Sequence, residues 1–310
     1  MFKTLTQPKY PRAALGIEQD FVIALALQKE GKGRFGIEQA ATIELPDNLL
    51  EPNFIEKNIS NGNELIVFLE EAITNAGLRK NKRWSVSLPS NVARTAILTL
   101  EDKPASKIEL EDVLDWKAET SFGVPSGELR ISREKISPDA EGKARYFATA
   151  VKLSVIDEYE TIFERLGWRA GLILPRAVSE SRWIADPNSQ ADALLISSQN
   201  DGFTAMLIRG DEPAVVRSVT CSVSERDDEI YRLLVYYQDR FIGESNGNSL
   251  DKFLVIGRDF VPERLREITA EALGEPLKVL RPEDVGLTIP ASNLTFDEVA
   301  APAGIATLGF

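Results

Sequence analysis

The chain has 310 residues, 43% hydrophobic and 27% charged, and its acidic residues exceed the basic ones by 48 to 36 for a formal charge of -12. That length and apolar content suffice for two domains with separate cores, while the acidic balance argues against a nucleic-acid groove or direct docking on anionic lipid. With no histidine and a single cysteine, Cys221, the sequence excludes Ser–His and Cys–His nucleophiles, histidine-ligated zinc, cysteine metal clusters and an intramolecular disulfide.

The first predicted elements form a β-meander. Apolar runs at Ala13–Ile17, Phe21–Leu27 and Phe35–Leu45 are parted by the polar turn Glu18-Gln19-Asp20 and by a looser turn over Lys29–Arg34. After a polar connection, Leu65, Phe68, Leu69, Ala72, Ile73 and Ala76 recur at helical spacing across Glu64–Gly77, with Gly77 as the stop. The basic run Arg79–Arg83 reads as a solvated helix end. Trp84–Leu88 predicts a buried strand closed by Pro89, and Ala93–Leu100 alternates as another. Lys107–Phe122 predicts an amphipathic helix carrying Ile108, Leu110, Val113, Leu114, Trp116 and Ala118, stopped by Gly123 and Pro125. Strands at Glu128–Ile136 and Ala144–Val151 follow. Ser154 is expected to cap a helix ending near Leu166, before a strand at Ala170–Leu174 and a helix at Arg176–Ile184.

Pro187-Asn188-Ser189-Gln190 is the expected linker, directly before a second meander. Its runs, Ala193–Ile196, Phe203–Ile208 and Ala214–Val219, are parted by Asn200-Asp201-Gly202 and by Gly210-Asp211-Glu212-Pro213. Then come a helix over Glu225–Phe241, a break at Glu244–Ser249, a strand at Lys252–Ile256, a helix at Pro262–Leu273, a strand at Pro276–Leu280 and a small-residue terminal helix at Val299–Leu308. Gly243–Gly247 has neither a P-loop lysine nor dinucleotide spacing, and reads as a loop. Two meanders, one per half, each followed by helix and strand, predict a duplicated α/β architecture with mixed sheets. Met1–Tyr10 is polar and no apolar run approaches the ~20 residues of a membrane span, so a cytoplasmic protein is expected.

Several local patterns carry a resemblance. Gly16-Ile17-Glu18-Gln19-Asp20-Phe21-Val22 stands where one family has a first loop of the type GIDIGxxxVK. Val86-Ser87-Leu88-Pro89 matches its aliphatic-Leu-Pro strand end, and Glu111–Glu119 with the later Pro125 matches a helix of the type ELxxAIxWEAExxxPxP. Tyr146–Leu174, the pair Tyr236-Tyr237 and Ala303-Gly304-Ile305-Ala306 fit later stretches. Together these resemble the actin-like superfamily, and within it the PilM-type protein of type IV pilus assembly. The resemblance implies a duplicated actin-like (ribonuclease H-like) fold. Its first lobe would comprise residues 1–89 plus 152–187, with a small α/β subdomain inserted at 90–151 and a second lobe at 188–310.

The departures from that family bear on function. Nucleotide-binding members carry Asp-aliphatic-Gly in both phosphate loops, where aspartate positions magnesium and water and glycine admits phosphate to the backbone. Here Glu18 stands at the first aspartate and Asp20 at the first glycine; in the second loop the positions fall on Ser197, Ser198 and Gln199. The glycine-rich adenosine signature is reduced to Gly257 in Val255-Ile256-Gly257-Arg258. Cys221–Asp228 passes straight into the next helix, leaving little room for the helical insert that walls the adenine pocket. The resemblance thus implies a degenerate ATPase with no catalytic or metal-ligating residues and no cofactor. Glu18, Asp20, Ser197, Asn200, Asp201 and Gly257 would be vestiges of the nucleotide loops. The alternative is residual ATP and magnesium binding through Glu18, Asp20 and Asp201, although acids in such turns are more often simply turn-formers. Ser197 lacks a base partner and reads as a strand-end hydroxyl, and Cys221 as a buried small hydrophobe.

By the same resemblance the chain is a scaffold, peripheral at the inner face of the cytoplasmic membrane, that receives the cytoplasmic tail of a bitopic inner-membrane protein. Arg94, Asp115, Trp116, Glu119 and Phe122 are the expected contact residues, and Glu109, Glu111 and Asp112 extend an acidic face suited to a basic tail. Trp116 fits either a partner anchor or a core position, and the acids fit either a docking face or a solvated one. The cytoplasmic domain of type II secretion L-type proteins is the second family alternative and a small-molecule kinase a third; homo-oligomerisation is left open.

Overall fold

The computed structural model describes residues 9–242, 249–290 and 293–310. The expected loop at Gly243–Gly247 lies outside them, as does most of the break at Glu244–Ser249. In chain order the strands are β1 Ala13–Ile17, β2 Phe21–Gly31, β3 Arg34–Glu44, β4 Arg83–Leu88, β5 Arg94–Thr99, β6 Leu129–Ile136, β7 Arg145–Lys152, β8 Arg169–Pro175, β9 Asp192–Gln199, β10 Gly202–Arg209, β11 Glu212–Thr220, β12 Leu250–Ile256 and β13 Leu287–Thr288. The helices are α1 Gly62–Asn75, α2 Lys107–Phe122, α3 Leu153–Arg165, α4 Arg176–Glu180, α5 Arg226–Tyr237, α6 Pro262–Leu273 and α7 Phe296–Ala306. The chain divides into one compact unit of residues 1–89, 157–183 and 282–310 and another of 90–156 and 184–281.

The first unit is built on a six-stranded sheet in the order β13-β3-β2-β1-β4-β8. The predicted meander is present: β1 pairs antiparallel with β2 and β2 with β3, while β1, β4 and β8 run parallel. All five residues of β1 are buried, as a central strand covered on both faces requires. One cover is α1, against β2 and β3; its N-terminus is capped by Asn61, whose side chain accepts from the N–H groups of Asn63 and Glu64. Another is α7, which packs on β1, β2 and β4 and against α4. Sequence pattern assigns this terminal helix to the second lobe, but its small face seats it here. A Cβ added at Gly304 would lie 2.2 Å from the Ser179 carbonyl oxygen, so only glycine lets α7 approach α4 so closely. Trp183 locks the contact by donating from Nε1 to the Ala300 carbonyl at 2.7 Å. A capping box of Thr295 and Glu298 starts α7 three residues before the predicted Val299.

The second unit holds two sheets. One is β11-β10-β9-β12, the second predicted meander extended by a parallel strand; the other is β5-β7-β6, all antiparallel. Helices α5 and α6 cover the four-stranded sheet, with Ile230, Leu234, Leu265 and Ile268 meeting Ile196, Phe203 and Phe253 in one core. Asp192, fully buried at the start of β9, accepts two bonds from Arg209 at 2.8 Å each and one from the Tyr237 hydroxyl at 3.1 Å. Of the tyrosine pair noted in the sequence, Tyr237 is therefore an internal strut, while Tyr236 is exposed.

Three local expectations differ from the structure. Ser154 lies inside α3, which starts at Leu153, so it is not the cap. Pro276–Leu280 is no strand: a single bridge joins Val279 to Phe253, with the Leu280 N–H donating to the Phe253 carbonyl at 2.8 Å. And α2 is not cleanly amphipathic, because Leu114, Ala118 and Phe122 are buried whereas Ile108 and Trp116 stand exposed.

Candidate functional site

In the first unit the carboxyl ends of the parallel strands β1, β4 and β8 share one edge of the sheet, the place where open α/β sheets hold ligands. Glu18 follows β1 there, in a tight turn closed by its N–H donating to the Phe21 carbonyl at 2.9 Å. Arg176 follows β8, two strands away, and its guanidinium reaches past the end of β4 to within 3.5 Å of the Glu18 carboxylate. The same guanidinium donates from Nε to Glu180 at 2.8 Å and from Nη2 to the Asp297 carbonyl oxygen at 3.1 Å, and it also bonds the Asp297 carboxylate. Side-chain exposure is 7% for Arg176, 0% for Glu180 and 13% for Glu18 and Asp297.

This cluster sets three carboxylates against one guanidinium. Burial pushes the Glu18 carboxyl up to about 7; Arg176 pulls it down, while Glu180, Asp297 and Asp20 add to the rise. Burial would lower the Arg176 pKa, but the carboxylates of Glu180, Glu18 and Asp297 outweigh it and hold the guanidinium charged. Asp20, which the sequence resemblance puts at a phosphate glycine, is exposed, and its carbonyl accepts from the Leu45 N–H at 2.8 Å.

The second turn, in the second unit, is engaged differently. β9 continues through Ser197 and Ser198 to Gln199, which pairs with Gly202 across a two-residue turn of Asn200 and Asp201, both exposed. Ser197 is fully buried in mid-sheet between Thr204 and Ile256, and its hydroxyl has no hydrogen-bond partner among the described residues. Beside the end of β9, buried Arg226 donates to the Gln199 carbonyl at 3.0 Å and to the Asp259 carboxylate at 2.8 Å, and it lies 5.7 Å from the centre of the Phe260 ring. Gly257 has φ +155°, and a Cβ there would meet the Ser198 Cβ at 2.4 Å and the Phe260 ring at 2.9 Å. Gly257 thus serves internal packing.

The five residues expected to meet a partner fall into two groups. Trp116 is 62% exposed and Ile108 76%, with the exposed Asp112 between them, four residues from each, so the three form one ridge along α2. Asp115 pairs with Arg133, which also bonds Glu111. Glu119 accepts from the N–H and the hydroxyl of Ser126 at 2.8 and 2.9 Å, fixing the turn beyond the helix. Arg94 donates to the Phe122 carbonyl, and Phe122 itself is 1% exposed, a core residue that offers no surface.

Local sequence pattern does not join Arg176, Glu180 and Asp297 as a unit, nor Arg226 with Asp259. One signal was available: Arg176 and Glu180 are the only charges in Leu172–Ser181, four residues apart at the start of a helix. Among the described residues no group of acids, cysteine or histidine is arranged to hold a metal ion, and no helix is long and apolar enough to cross a membrane.

No protein-family model matches the sequence, and no curated protein does. Among solved structures, a chain of the PilM–PilN type IV pilus biogenesis complex matches with a TM-score of 0.75 at 15% identity, over 97% of this chain and 99% of that one. A Bacteroides thetaiotaomicron protein with an actin-like ATPase fold and unknown function matches at 0.47 and 11%, over 97% and 98%. The cytoplasmic domain of EpsL, an inner membrane component of the type II secretion system of Vibrio cholerae, matches at 0.48 and 9%, over 96% and 93%. Over nearly its whole length the chain therefore shares the fold of the matched chain of the PilM–PilN complex.

Proposed function

We propose that this chain is a non-catalytic actin-like scaffold of a type IV pilus or related secretion platform, which docks the cytoplasmic tail of an inner-membrane partner. The observation that carries the reading is the engagement of Glu18 by Arg176. In a nucleotide-binding relative the acid here would face magnesium, and a guanidinium 3.5 Å away already supplies the countercharge. The residues present do not fit an ATP–magnesium group at this turn: Asp20 sets a carboxylate where phosphate would need bare backbone. Arg226 and Phe260 fill the space beside the second turn.

The docking half of the proposal rests on α2. The ridge of Ile108, Asp112 and Trp116 alternates apolar and acidic exposed groups, which suits a tail carrying both aliphatic and basic residues. The test is binding of the tail of the neighbouring gene's bitopic product to the full chain. Trp116→Ala and Asp112→Lys are each expected to weaken binding about tenfold or more, since truncating a hot spot costs ~2 kcal/mol. Equal binding by both variants and the wild type would reject the α2 face, and no binding of the tail by any of them would reject the scaffold reading.

A further inference from the structure

A second surface lies in the first unit, on the outer edge of its sheet. β3 pairs with β2 along its length, but on its other side, among the described residues, it pairs only with β13, through Phe35 and Gly36. From Ile37 to Glu44 no strand pairs with that outer edge among the described residues. The register tells which groups face out. The Leu45 N–H donates inward to the Asp20 carbonyl, and the pairing between Gln39 and Glu44 has no bulge. Residues 43, 41 and 39 therefore also bond towards β2, leaving Ala40, Thr42 and Glu44 to turn their N–H and C=O groups outward.

Along this edge runs a groove of about 650 Å³ whose lining includes Ala40, Thr42, Glu44, Asn75, Asn293 and Glu298. Its charge has one sign. Glu38, Glu44 and Glu298 line it, and no lysine or arginine does. The carboxyl end of α1 adds the negative end of a helix dipole, with no basic residue in its last turn. The Thr42 hydroxyl oxygen is buried without a hydrogen-bond partner among the described residues.

We propose that the open edge of β3 receives an extended, lysine- or arginine-bearing peptide segment as an added strand. Main-chain bonds to Ala40, Thr42 and Glu44 supply the pairing, and the carboxylates of Glu38 and Glu44 select basic side chains. The same acids keep a second copy of this edge away, because self-pairing would set like charges opposite one another. The site goes beyond docking on α2: it lies in the other unit and reads backbone rather than an apolar anchor.

The test uses the full chain and a synthetic peptide of four Val-Lys repeats, with its Val-Glu counterpart and an alternately N-methylated Val-Lys version as controls. Hydrogen exchange should show new protection at the amides of Ala40, Thr42 and Glu44. The double variant Glu38→Lys/Glu44→Lys should bind the Val-Lys peptide at least tenfold more weakly and prefer Val-Glu. Thr42→Pro removes one outward N–H, a change an edge strand accommodates, and should also weaken binding. Trp116→Ala should leave this binding unchanged, which separates it from docking on α2. Equal binding of the N-methylated peptide, no protection on β3, or unchanged affinity in the double variant would each overturn the proposal.

Discussion

Replacing Arg176 by methionine is expected to lower the stability of the folded chain by about 3–5 kcal/mol near pH 7.5, because it leaves buried carboxylates without their cation. Three acids converge on this guanidinium, and Glu180 and Asp297 reach it with hydrogen bonds as well as charge. Methionine roughly fills the volume, so the loss reports the charge and not a cavity. Arg176→Lys should recover part of it only, since one ammonium cannot reproduce the guanidinium's fork of bonds to two helices and a turn. Urea unfolding followed by circular dichroism gives the number. A loss below about 1 kcal/mol would mean that the acids do not depend on Arg176 and that the cluster is incidental.

The second large effect is one of pH, at Glu18. Its carboxyl is raised from 4.5 to about 7 in the folded chain, so between those values the native state holds a proton that the unfolded state has released. Stability from this group is therefore present in full below pH 4.5, falls as pH rises through 7 and is absent above. The whole span is worth at most ~3 kcal/mol at 1.36 kcal/mol per pKa unit. Glu18→Gln keeps the shape and removes the proton. Relative to wild type it should gain stability between pH 5 and about pH 7 and level off above, in urea unfolding at each pH. If the variant instead loses ground as pH rises, the attraction between Glu18 and Arg176 outweighs the burial of the carboxylate, and the sign assigned here is wrong.

Both effects come from residues that local pattern could not join. The strands were legible because each meander alternates runs of apolar residues with turn formers, and Ala13–Ile17 is predicted with the bounds it has in the structure. Lining up short motifs puts Glu18 and Asp20 at phosphate-loop positions only through the resemblance to a family. What Glu18 does with its charge is not legible even so, because Arg176 and Asp297 lie 121 positions apart and meet only when β8 and α7 are in place. β13 is illegible for another reason: two residues with no alternation form a strand only because β3 offers an edge. On α2 helical spacing groups Ile108 and Trp116 with Leu114, Ala118 and Phe122, yet the first two are exposed and the last three buried. Spacing by itself does not say which side of a helix meets a sheet.

The central claim is that the turn after β1 is closed by an internal ion pair and no longer serves a nucleotide. Isothermal titration calorimetry of the full chain with ATP and excess magnesium at pH 7.5 tests it most directly. The account predicts no saturable heat up to millimolar ATP. A saturable heat with micromolar affinity, lost in a Glu18→Gln variant that remains folded, would contradict it.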